Sequence, residues 1–398
     1  MGDKVRVFVV DDSAVVRRII TEIINAETDL EVVGAAGSGE RALEKLDEIG
    51  ADVVTLDVEM PGMSGLDVVT ELRKRNPAPA VIMFSASTQR AAATTLEALA
   101  RGASDYVAKP TGGSAAESIE LIRAQMLPKI RVLGRRPLLP TRPPAPLREG
   151  PLFPRAARET APPPSPPSSW PALGAQVAEP LASPLRLARG RAMRLPCELL
   201  CIGSSTGGPN ALATLLSALP RDLGVPILIV QHMPPLFTKM LADRLSATTP
   251  FPTTEVTDGQ TLEPGRAYLA PGDFHVQVAR AGTKTILQTN QNPPENSCRP
   301  AVDVTFRSVA EVFGGRVLAV VLTGMGQDGL LGAERLQATG AQIVVQDEAT
   351  SVVWGMPGFI AKAGLAEAVL PLSELPLEII KRVRAGRRTS SSPGGGSL

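Results

Sequence analysis

Histidine is nearly absent from this sequence of 398 residues, which contains only His232 and His275. Three cysteines without metal-ligand spacing argue against a disulfide scaffold and favour a reducing, cytoplasmic environment. The sequence enters its first strand without a signal-peptide pattern. No apolar run reaches the roughly 18 residues needed to cross a bilayer, so we expect no membrane insertion.

The net charge of +1 conceals an uneven distribution along the chain. Residues 131–194 contain eleven Arg, three Glu and neither Lys nor Asp, which gives +8 and leaves −7 for the rest. From 137 to 184, fifteen of 48 residues are proline, and apolar periodicity is absent. We therefore predict a disordered linker over 133–196, with arginines forming a solvated tether. A weaker alternative is that they touch an acidic protein or membrane surface.

The segments on either side of this linker alternate between strand and helix patterns. In residues 1–132, strands are predicted at 5–10, 30–36, 53–57, 81–85 and 106–108, and helices at 14–26, 39–48, 65–76, 91–101 and 115–132. Regular alternation of this kind predicts an α/β domain whose parallel sheet is covered on both faces.

Residues 197–385 are predicted to form a second doubly wound, mostly parallel α/β domain. Strands are expected at 198–203, 226–231, 317–323 and 342–345, and helices at 209–219, 235–247, 301–312, 330–339 and 375–385. A hairpin is expected within 266–288, where 266–270 and 274–279 flank the turn-like sequence Pro-Gly-Asp. The Ser/Gly-rich tail, 386–398, is predicted to be disordered.

Polar side chains end the predicted strands of the first domain at positions that should share one sheet edge: Asp11 and Asp12, Asp57, Ser85, and Lys109. Three neighbouring carboxylates repel one another unless a hard cation lies among them, and oxygen ligands suit Mg²⁺. A hydroxyl and an ammonium complete a site for a transferred phosphoryl group, with Asp57 as its acceptor.

The stretches 9–13, 56–62 and 108–110 closely resemble the motifs of response-regulator receiver domains. This resemblance covers about 125 residues and implies a flavodoxin-like fold and phosphoryl transfer from a histidine kinase to Asp57. It also implies that Ser85 and Tyr106 take part in the conformational switch, together with Lys109. Considered alone, Tyr106 would more often be a core or edge aromatic.

In the second domain, an apolar strand at 199–202 runs into the glycine-rich loop 203–208, which matches G-x-S-x-G with Ser205 as the nucleophile. A serine nucleophile needs a base, usually histidine. His232 ends the next strand and can meet Ser205 if the two strands are neighbours. His275 alternates with apolar residues and better fits a hydrogen-bonded sheet histidine.

A carboxylate should orient the imidazole, and Asp328 stands in the glycine-rich loop after a strongly apolar strand. The alternative is that Asp328 only caps the following helix, although the two roles are compatible. Backbone N–H groups of such loops can bind an oxyanion, and those of Thr206 and Met325 are the candidates. No cofactor is expected at this site.

The chain order Ser205, His232, Asp328 differs from that of α/β-hydrolases. It resembles the catalytic domain of chemotaxis-type protein-glutamate methylesterases, which pair this Rossmann-like domain with an N-terminal receiver. The stretches that match are 202–209, 231–233, 270–272, 299–303, 323–329 and 354–357. The resemblance implies hydrolysis of glutamate γ-methyl esters on chemoreceptors, deamidation of receptor glutamines, and a receiver that covers the esterase site until Asp57 is phosphorylated. Cys298 departs from the pattern, because histidine often precedes this Arg-Pro pair.

A rival function is a receiver with a nucleotide-binding output, in which the glycine-rich loop would cradle phosphate. Against it, the loop lacks G-x-G-x-x-G spacing and a Walker lysine, and the second strand ends in Gln231-His232 rather than in an acidic ribose ligand. A nucleic-acid partner is not expected, because no helix-turn-helix candidate lies outside the α/β pattern and the arginines lie in the linker. We expect a monomer.

Overall fold

The computed structural model describes residues 4–110, 112, 114–135 and 195–385. Most of the predicted linker, 136–194, and the predicted disordered tail, 386–398, lie outside the described residues. Across the described ranges, every helix is too short or too polar to span a membrane.

The first domain is a parallel sheet of five strands in the order β2-β1-β3-β4-β5. Its strands are β1 (Val5–Val10), β2 (Leu30–Ala36), β3 (Val53–Asp57), β4 (Ala80–Ser85) and β5 (Asp105–Ala108). Its helices are α1 (Ala14–Asn25), α2 (Gly39–Ile49), α3 (Gly65–Leu72), α4 (Gln89–Ala100) and α5 (Ala115–Gly134). The strand order is the flavodoxin-like one and confirms the predicted fold of this domain.

The second domain is built on a parallel sheet of seven strands in the order β15-β14-β13-β6-β7-β10-β8. The strands are β6 (Leu199–Ser204), β7 (Ile227–Gln231), β8 (Thr253–Glu255), β10 (Ala267–Leu269), β13 (Val317–Val321), β14 (Gln342–Gln346) and β15 (Ala368–Leu370). The helices are α6 (Gly208–Ser217), α7 (Phe237–Thr248), α8 (Val302–Phe313), α9 (Leu330–Ala338), α10 (Met356–Lys362) and α11 (Leu375–Ala385). This parallel sheet with its helices confirms the predicted α/β fold of the second domain.

The predicted hairpin between 266–270 and 274–279 is wrong, because these segments join different sheets. Strand β10 pairs in parallel with β7 and β8 inside the large sheet. The hairpin is instead β11 (His275–Ala281) with β12 (Lys284–Asn290), and β12 also pairs with β9 (Gln260–Thr261). Its two-residue turn begins at Gly282, whose φ of 61° suits the first position of a tight hairpin turn.

The chain leaves β6 in one direction, towards β7, and later returns to its other side as β13. The loops that follow these two strands therefore separate and leave a crevice at the carboxyl edge of the sheet. Buried apolar residues cover both faces of the sheet, including Leu200 and Ile202 on one side and Leu199 and Cys201 on the other. This packing fixes the strand ends that carry the predicted catalytic residues.

Candidate active site and receiver pocket

Ser205 lies at the turn between β6 and α6, and two glycines make that turn possible. Gly207 has a φ of 76°, in the left-handed region that favours glycine. A Cβ atom on Gly324 would lie 2.9 Å from the Ser205 Cβ atom, so the loop after β13 packs directly against the serine. Ser205 is half-buried, and its hydroxyl has no hydrogen-bond partner among the described residues.

His232 and Asp328 are brought together although 96 positions separate them in the sequence. The His232 Nε2–H group donates to Asp328 Oδ2 at 2.7 Å, and the imidazole is only 10% exposed. Strands β6 and β7 are neighbours, with Ser204 opposite Gln231 in the register. Ser205 and His232 therefore follow adjacent strands at the same edge of the sheet.

Asp328 accepts three backbone hydrogen bonds, two of them from the first turn of α8. Val302 N–H donates to Oδ2 at 2.6 Å, and Asp303 N–H donates to Oδ1 at 3.0 Å. Gly329 N–H donates to Oδ1 at 3.0 Å. The carboxylate thus caps α8, whose own N-cap residue Ala301 supplies no side-chain bond, rather than α9 alone. A helix N-terminus stabilises a negative charge at this place.

The ion pair controls the pKa of both partners. Burial alone would lower the pKa of His232, but the Asp328 carboxylate and the Cys298 sulfur outweigh it and raise that pKa to about 10. Burial alone would raise the pKa of Asp328, yet His232 and the backbone N–H groups hold it below its usual value. Asp328 is therefore ionised at neutral pH, and its charge stabilises the imidazolium that forms when His232 takes up a proton.

Sequence reasoning missed two side chains in the turn 295–298. The Cys298 Sγ atom lies 3.5 Å from His232 Nδ1, the nitrogen that Asp328 leaves unused. Asn296 Nδ2 donates at 3.0 Å both to Asp328 Oδ1 and to Asp303 Oδ2. Burial, together with the neighbouring Asp328 carboxylate, raises the pKa of Asp303 to about 6. Asn296 therefore supplies two donors to a pair of buried carboxylates.

His275 is buried, and backbone groups satisfy both of its ring nitrogens. Its Nε2 donates to the Pro293 carbonyl at 3.1 Å, and its Nδ1 accepts from Ala301 N–H at 3.2 Å. This histidine ties β11 to the start of α8 and stands apart from the Asp328 carboxylate. The arrangement is that of a structural sheet histidine.

Both residues predicted to bind an oxyanion lie at the boundary with the first domain. The Thr206 hydroxyl donates to Asp105 Oδ2 at 2.7 Å, and both side chains are buried. Lys129 Nζ lies 2.8 Å from the same carboxylate. Met325 packs on an apolar cluster formed mainly by receiver residues, as does Val353. The first domain therefore lies against the loops on either side of Ser205.

Helices α4 and α7 extend this contact within one compact unit. Arg244 Nη1 on α7 donates to the Leu96 carbonyl on α4 at 2.6 Å. Asn210 Nδ2 donates to the Leu99 carbonyl at 2.5 Å. The buried interface thus includes polar bonds at several points.

The acidic pocket lies at the carboxyl edge of the first sheet. Oxygen atoms of Asp11, Asp12 and Asp57 lie within 4.8 Å of one another, a spacing that could hold a metal ion. Lys109 Nζ lies 2.8 Å from Asp57 Oδ2 and 3.2 Å from Asp11 Oδ2. Burial raises the pKa of Asp57, and Lys109 offsets part of that effect. All four side chains meet as the sequence predicts.

The two predicted switch residues lie on the strands next to this pocket. Ser85 is buried, and its hydroxyl accepts from Thr95 Oγ1 at 2.7 Å. The Tyr106 ring stacks on Phe237 of α7, with 4.7 Å between ring centroids and 14° between planes. Tyr106 is therefore an interface aromatic between the two domains, with its ring against the helix that follows His232.

Comparison with known proteins gives matches over both domains. The family model described as "CheB methylesterase" matches residues 200–379, and "Response regulator receiver domain" matches residues 7–119. A protein from Trichodesmium erythraeum is 45% identical over 96% of this chain and 99% of its own length. One from Nocardioides is 45% identical over 98% of each chain. Both are named "Protein-glutamate methylesterase/protein-glutamine glutaminase".

Among solved structures, the Thermotoga maritima "CheB methylesterase catalytic domain" is 40% identical to this chain. The match covers 47% of the present chain and 99% of the Thermotoga chain, with a TM-score of 0.46.

Proposed function

The chain belongs to the family of receiver-linked protein-glutamate methylesterases, and we propose that it hydrolyses glutamate γ-methyl esters on chemoreceptors. The observation that carries this proposal is the hydrogen bond between His232 and Asp328 at the sheet edge that also holds Ser205. The relatives' names support a second reaction, deamidation of receptor glutamines, because an amide carbonyl fits the same groups. We assign residues 1–132 to the receiver and 197–385 to the esterase, joined by the 133–196 linker.

The proposed reaction begins with attack by the Ser205 oxygen on the ester carbonyl. Asp328 already engages Nε2 of His232, so Nδ1 must accept the hydroxyl proton. The Cys298 sulfur now lies beside that nitrogen, and the serine has to replace it when substrate binds. The N–H groups of Thr206 and Met325 stabilise the oxyanion.

Collapse of the tetrahedral intermediate expels methanol, which takes the proton from His232. Water then attacks the acyl-enzyme, again with His232 as the base, and releases the glutamate carboxylate. With a glutamine substrate, the leaving group is ammonia and the same proton transfers apply. Each turnover on an ester therefore restores one negative charge to the receptor.

We infer that phosphorylation at Asp57 by a histidine kinase controls access to this site. The support is that Thr206 bonds to Asp105 of the receiver and that Met325 packs against a cluster formed mainly by receiver residues, which would exclude a receptor helix from Ser205. Tyr106 links the pocket to this interface, because its strand ends just before Lys109 and its ring stacks on Phe237. Ser85 and Lys109 would engage the phosphoryl group and change the position of Tyr106.

Asp11, Asp12 and Asp57 have the oxygen ligands and spacing that suit Mg²⁺. A bound Mg²⁺ would neutralise charge on the incoming phosphoryl group. Lys109 lies beside two of these carboxylates and supplies a further positive charge. The esterase site needs no cofactor for the proposed steps.

The test is methanol release from methylated receptor membranes, with and without acetyl phosphate and Mg²⁺. We expect the full chain to release methanol, faster with the phosphodonor. The Ser205→Ala variant should release none while keeping its melting temperature. Unchanged methanol release by that variant would overturn the assignment of the nucleophile, and no release by the native chain would overturn the proposed activity.

A further inference from the structure

We propose that Gln231 is a positioning residue that fixes the distance between the nucleophile and the base. This inference deepens the proposed function and depends on Ser205 and His232 having the roles given above. Gln231 ends β7 and is buried, with 2% of its surface exposed. Its amide touches the main chain of both residues, and neither substrate nor solvent is needed to explain its contacts.

The amide nitrogen of Gln231 joins the two catalytic segments. Nε2 donates to the Ser205 carbonyl at 2.9 Å and to the His232 carbonyl at 3.3 Å. One planar group with two N–H bonds therefore spans from the turn after β6 to the end of β7. Because carbonyl oxygens only accept, the nitrogen rather than the oxygen of the amide must face them.

The amide oxygen is held from the opposite side. Ser204, which pairs with Gln231 in the strand register, donates its hydroxyl to Oε1 at 2.7 Å. The Ser204 side chain has no exposed surface. All three hydrogen bonds of the glutamine amide are thus made within the protein, and the donor from Ser204 prevents the amide from turning over.

Close packing leaves this amide a single position. A Cβ atom on Gly208 would lie 2.0 Å from Gln231 Oε1, so only glycine at the start of α6 allows the amide to sit there. The His232 N–H also donates to the Ser204 carbonyl at 3.2 Å, which adds a main-chain link at the same level. The turn with Ser205 and the strand end with His232 therefore move as one body.

A glutamine suits this role because its side chain offers two donors and an acceptor at the required reach. A glutamate in the same position has only acceptors and would face two carbonyl oxygens, while methionine has a similar shape and lacks donors. Without the bridge, the serine and imidazole can separate. Displacement of reacting groups by about 1 Å costs roughly 100-fold in rate.

The test compares Gln231→Met with the native full chain, in the presence of acetyl phosphate and Mg²⁺ so that receiver coverage does not limit either. We expect kcat for methanol release to fall about 10- to 100-fold while KM changes less than about twofold. A fluorophosphonate probe, which reacts with serine only when a base activates it, should label Ser205 more slowly by a similar factor.

Gln342→Met is the matched control for a purely structural effect. Gln342 is a buried glutamine at the amino end of β14, whereas Gln231 lies at the carboxyl end of β7. The Gln342 side chain accepts a hydrogen bond from Arg382 Nη1 at 3.1 Å. Its loss should lower the melting temperature without changing kcat or the labelling rate. Ser204→Ala is the milder second variant, expected to lower kcat about 3- to 10-fold by removing the bond to Oε1.

Native-like kcat and labelling in Gln231→Met overturn the inference, as does a kcat loss in Gln342→Met equal to that in Gln231→Met. If Gln231→Met fails to fold, an unchanged kcat in Ser204→Ala overturns it. Failure of the proposed function looks different, since the native chain would then release no methanol or react with the probe elsewhere than Ser205, and both proposals would fall together.

Discussion

The imidazole of His232 carries two different neighbours on its two nitrogens. Asp328 accepts from Nε2, and Cys298 lies at Nδ1. The carboxylate is fixed by the first turn of α8, so its orientation does not depend on the flexibility of its own loop. Nε2 is therefore the nitrogen that Asp328 holds, and Nδ1 is the nitrogen that can exchange a proton.

The Asp328→Asn variant tests this separation. Asparagine has nearly the same shape as aspartate, but it can present its amide to Nε2 and favour the wrong tautomer, so kcat should fall by about 10³- to 10⁴-fold. Because the carboxylate raises the pKa of His232, its loss lowers that pKa, and the acid limb of kcat/KM should move to lower pH. A pH–rate profile measures both effects. An acid limb that stays in place would contradict the assigned ion pair.

Removal of the Cys298 sulfur should move the same acid limb of the pH–rate profile without the large loss in kcat. The sulfur too raises the pKa of His232, so Cys298→Ala is expected to move the acid limb to lower pH while kcat at its plateau stays within about threefold. Cys197→Ala is the control, since that buried cysteine lies just before β6, away from His232. A pH profile identical to that of the native chain would show that the sulfur does not affect the base.

At this scale the sequence predicts the main candidates well and their neighbours poorly. With only two histidines, few choices of base exist, and Asp328 follows from its position after an apolar strand. The sequence does not predict the contacts of Gln231, which appears there only as part of the matching stretch 231–233. The contacts of Asn296 and Cys298 depend on a turn that returns to the site from far along the chain, and no local pattern indicates that path.

The turn 295–298 acts as one element, closed by hydrogen bonds in both directions between Glu295 and Cys298. Its central residues, Asn296 and Ser297, have φ values of 51° and 60°, which disfavour most side chains other than asparagine and glycine. The turn thus accepts backbone strain while it places one side chain on the buried carboxylates and another on the histidine.

Two substitutions at Asn296 separate the amide from the backbone. Asn296→Gly keeps the left-handed backbone but loses the donors, so kcat should fall about 2- to 5-fold as water replaces the amide. Asn296→Asp adds an acceptor beside two carboxylates, and kcat should fall at least about tenfold. Ser297→Gly is the control and should keep native kcat. Steady-state methanol release measures kcat for all three variants. Equal activity in both Asn296 variants would contradict the expectation that an added carboxylate lowers kcat.

Element prediction is good where periodicity extends over many residues and poor where strands are short. The receiver strands and long helices lie close to their predicted bounds, whereas β8, β9, β15 and α10 have only two to seven residues and give no clear pattern. The hairpin error has a specific cause. Pro-Gly-Asp at 271–273 resembles a turn, but a Cβ atom on Gly272 would lie 2.2 Å from Pro235 N. Its glycine permits close approach of two loops.

At the scale of the whole molecule, we expect the interface between receiver and esterase to set the basal rate of methanol release. Arg244→Ala removes the bond to the Leu96 carbonyl and weakens the contact between α4 and α7. We expect methanol release without phosphodonor to rise about 3- to 10-fold, because each interface bond contributes about 1 kcal/mol to the closed state. Lys239→Ala on the same helix is the control, since Lys239 pairs with Asp243 on the exposed side.

Asp57→Asn completes this experiment. The variant should keep the low basal rate in the presence of acetyl phosphate, whereas Arg244→Ala combined with it should remain elevated. An Arg244→Ala chain no faster than the native one would point away from coverage and towards control through receptor docking. The domain pairing is predictable from motifs, but these contacts are not, because no local pattern within either domain indicates which of its surfaces meets the other domain.

Strand β5 begins at Asp105, which touches Thr206, and is followed by Lys109, which touches Asp57. Only about 13 Å of extended chain separates the switch from the ester site. If the phosphoryl site and the ester site are coupled, binding at each must change the affinity of the other by the same factor. A substrate that displaces Asp105 from Thr206 should therefore make the receiver a better acceptor. Enzyme labelled at Ser205 with a bulky phosphonate should bind beryllofluoride more tightly than unlabelled enzyme. A receptor in need of demethylation would then help to keep its own esterase switched on.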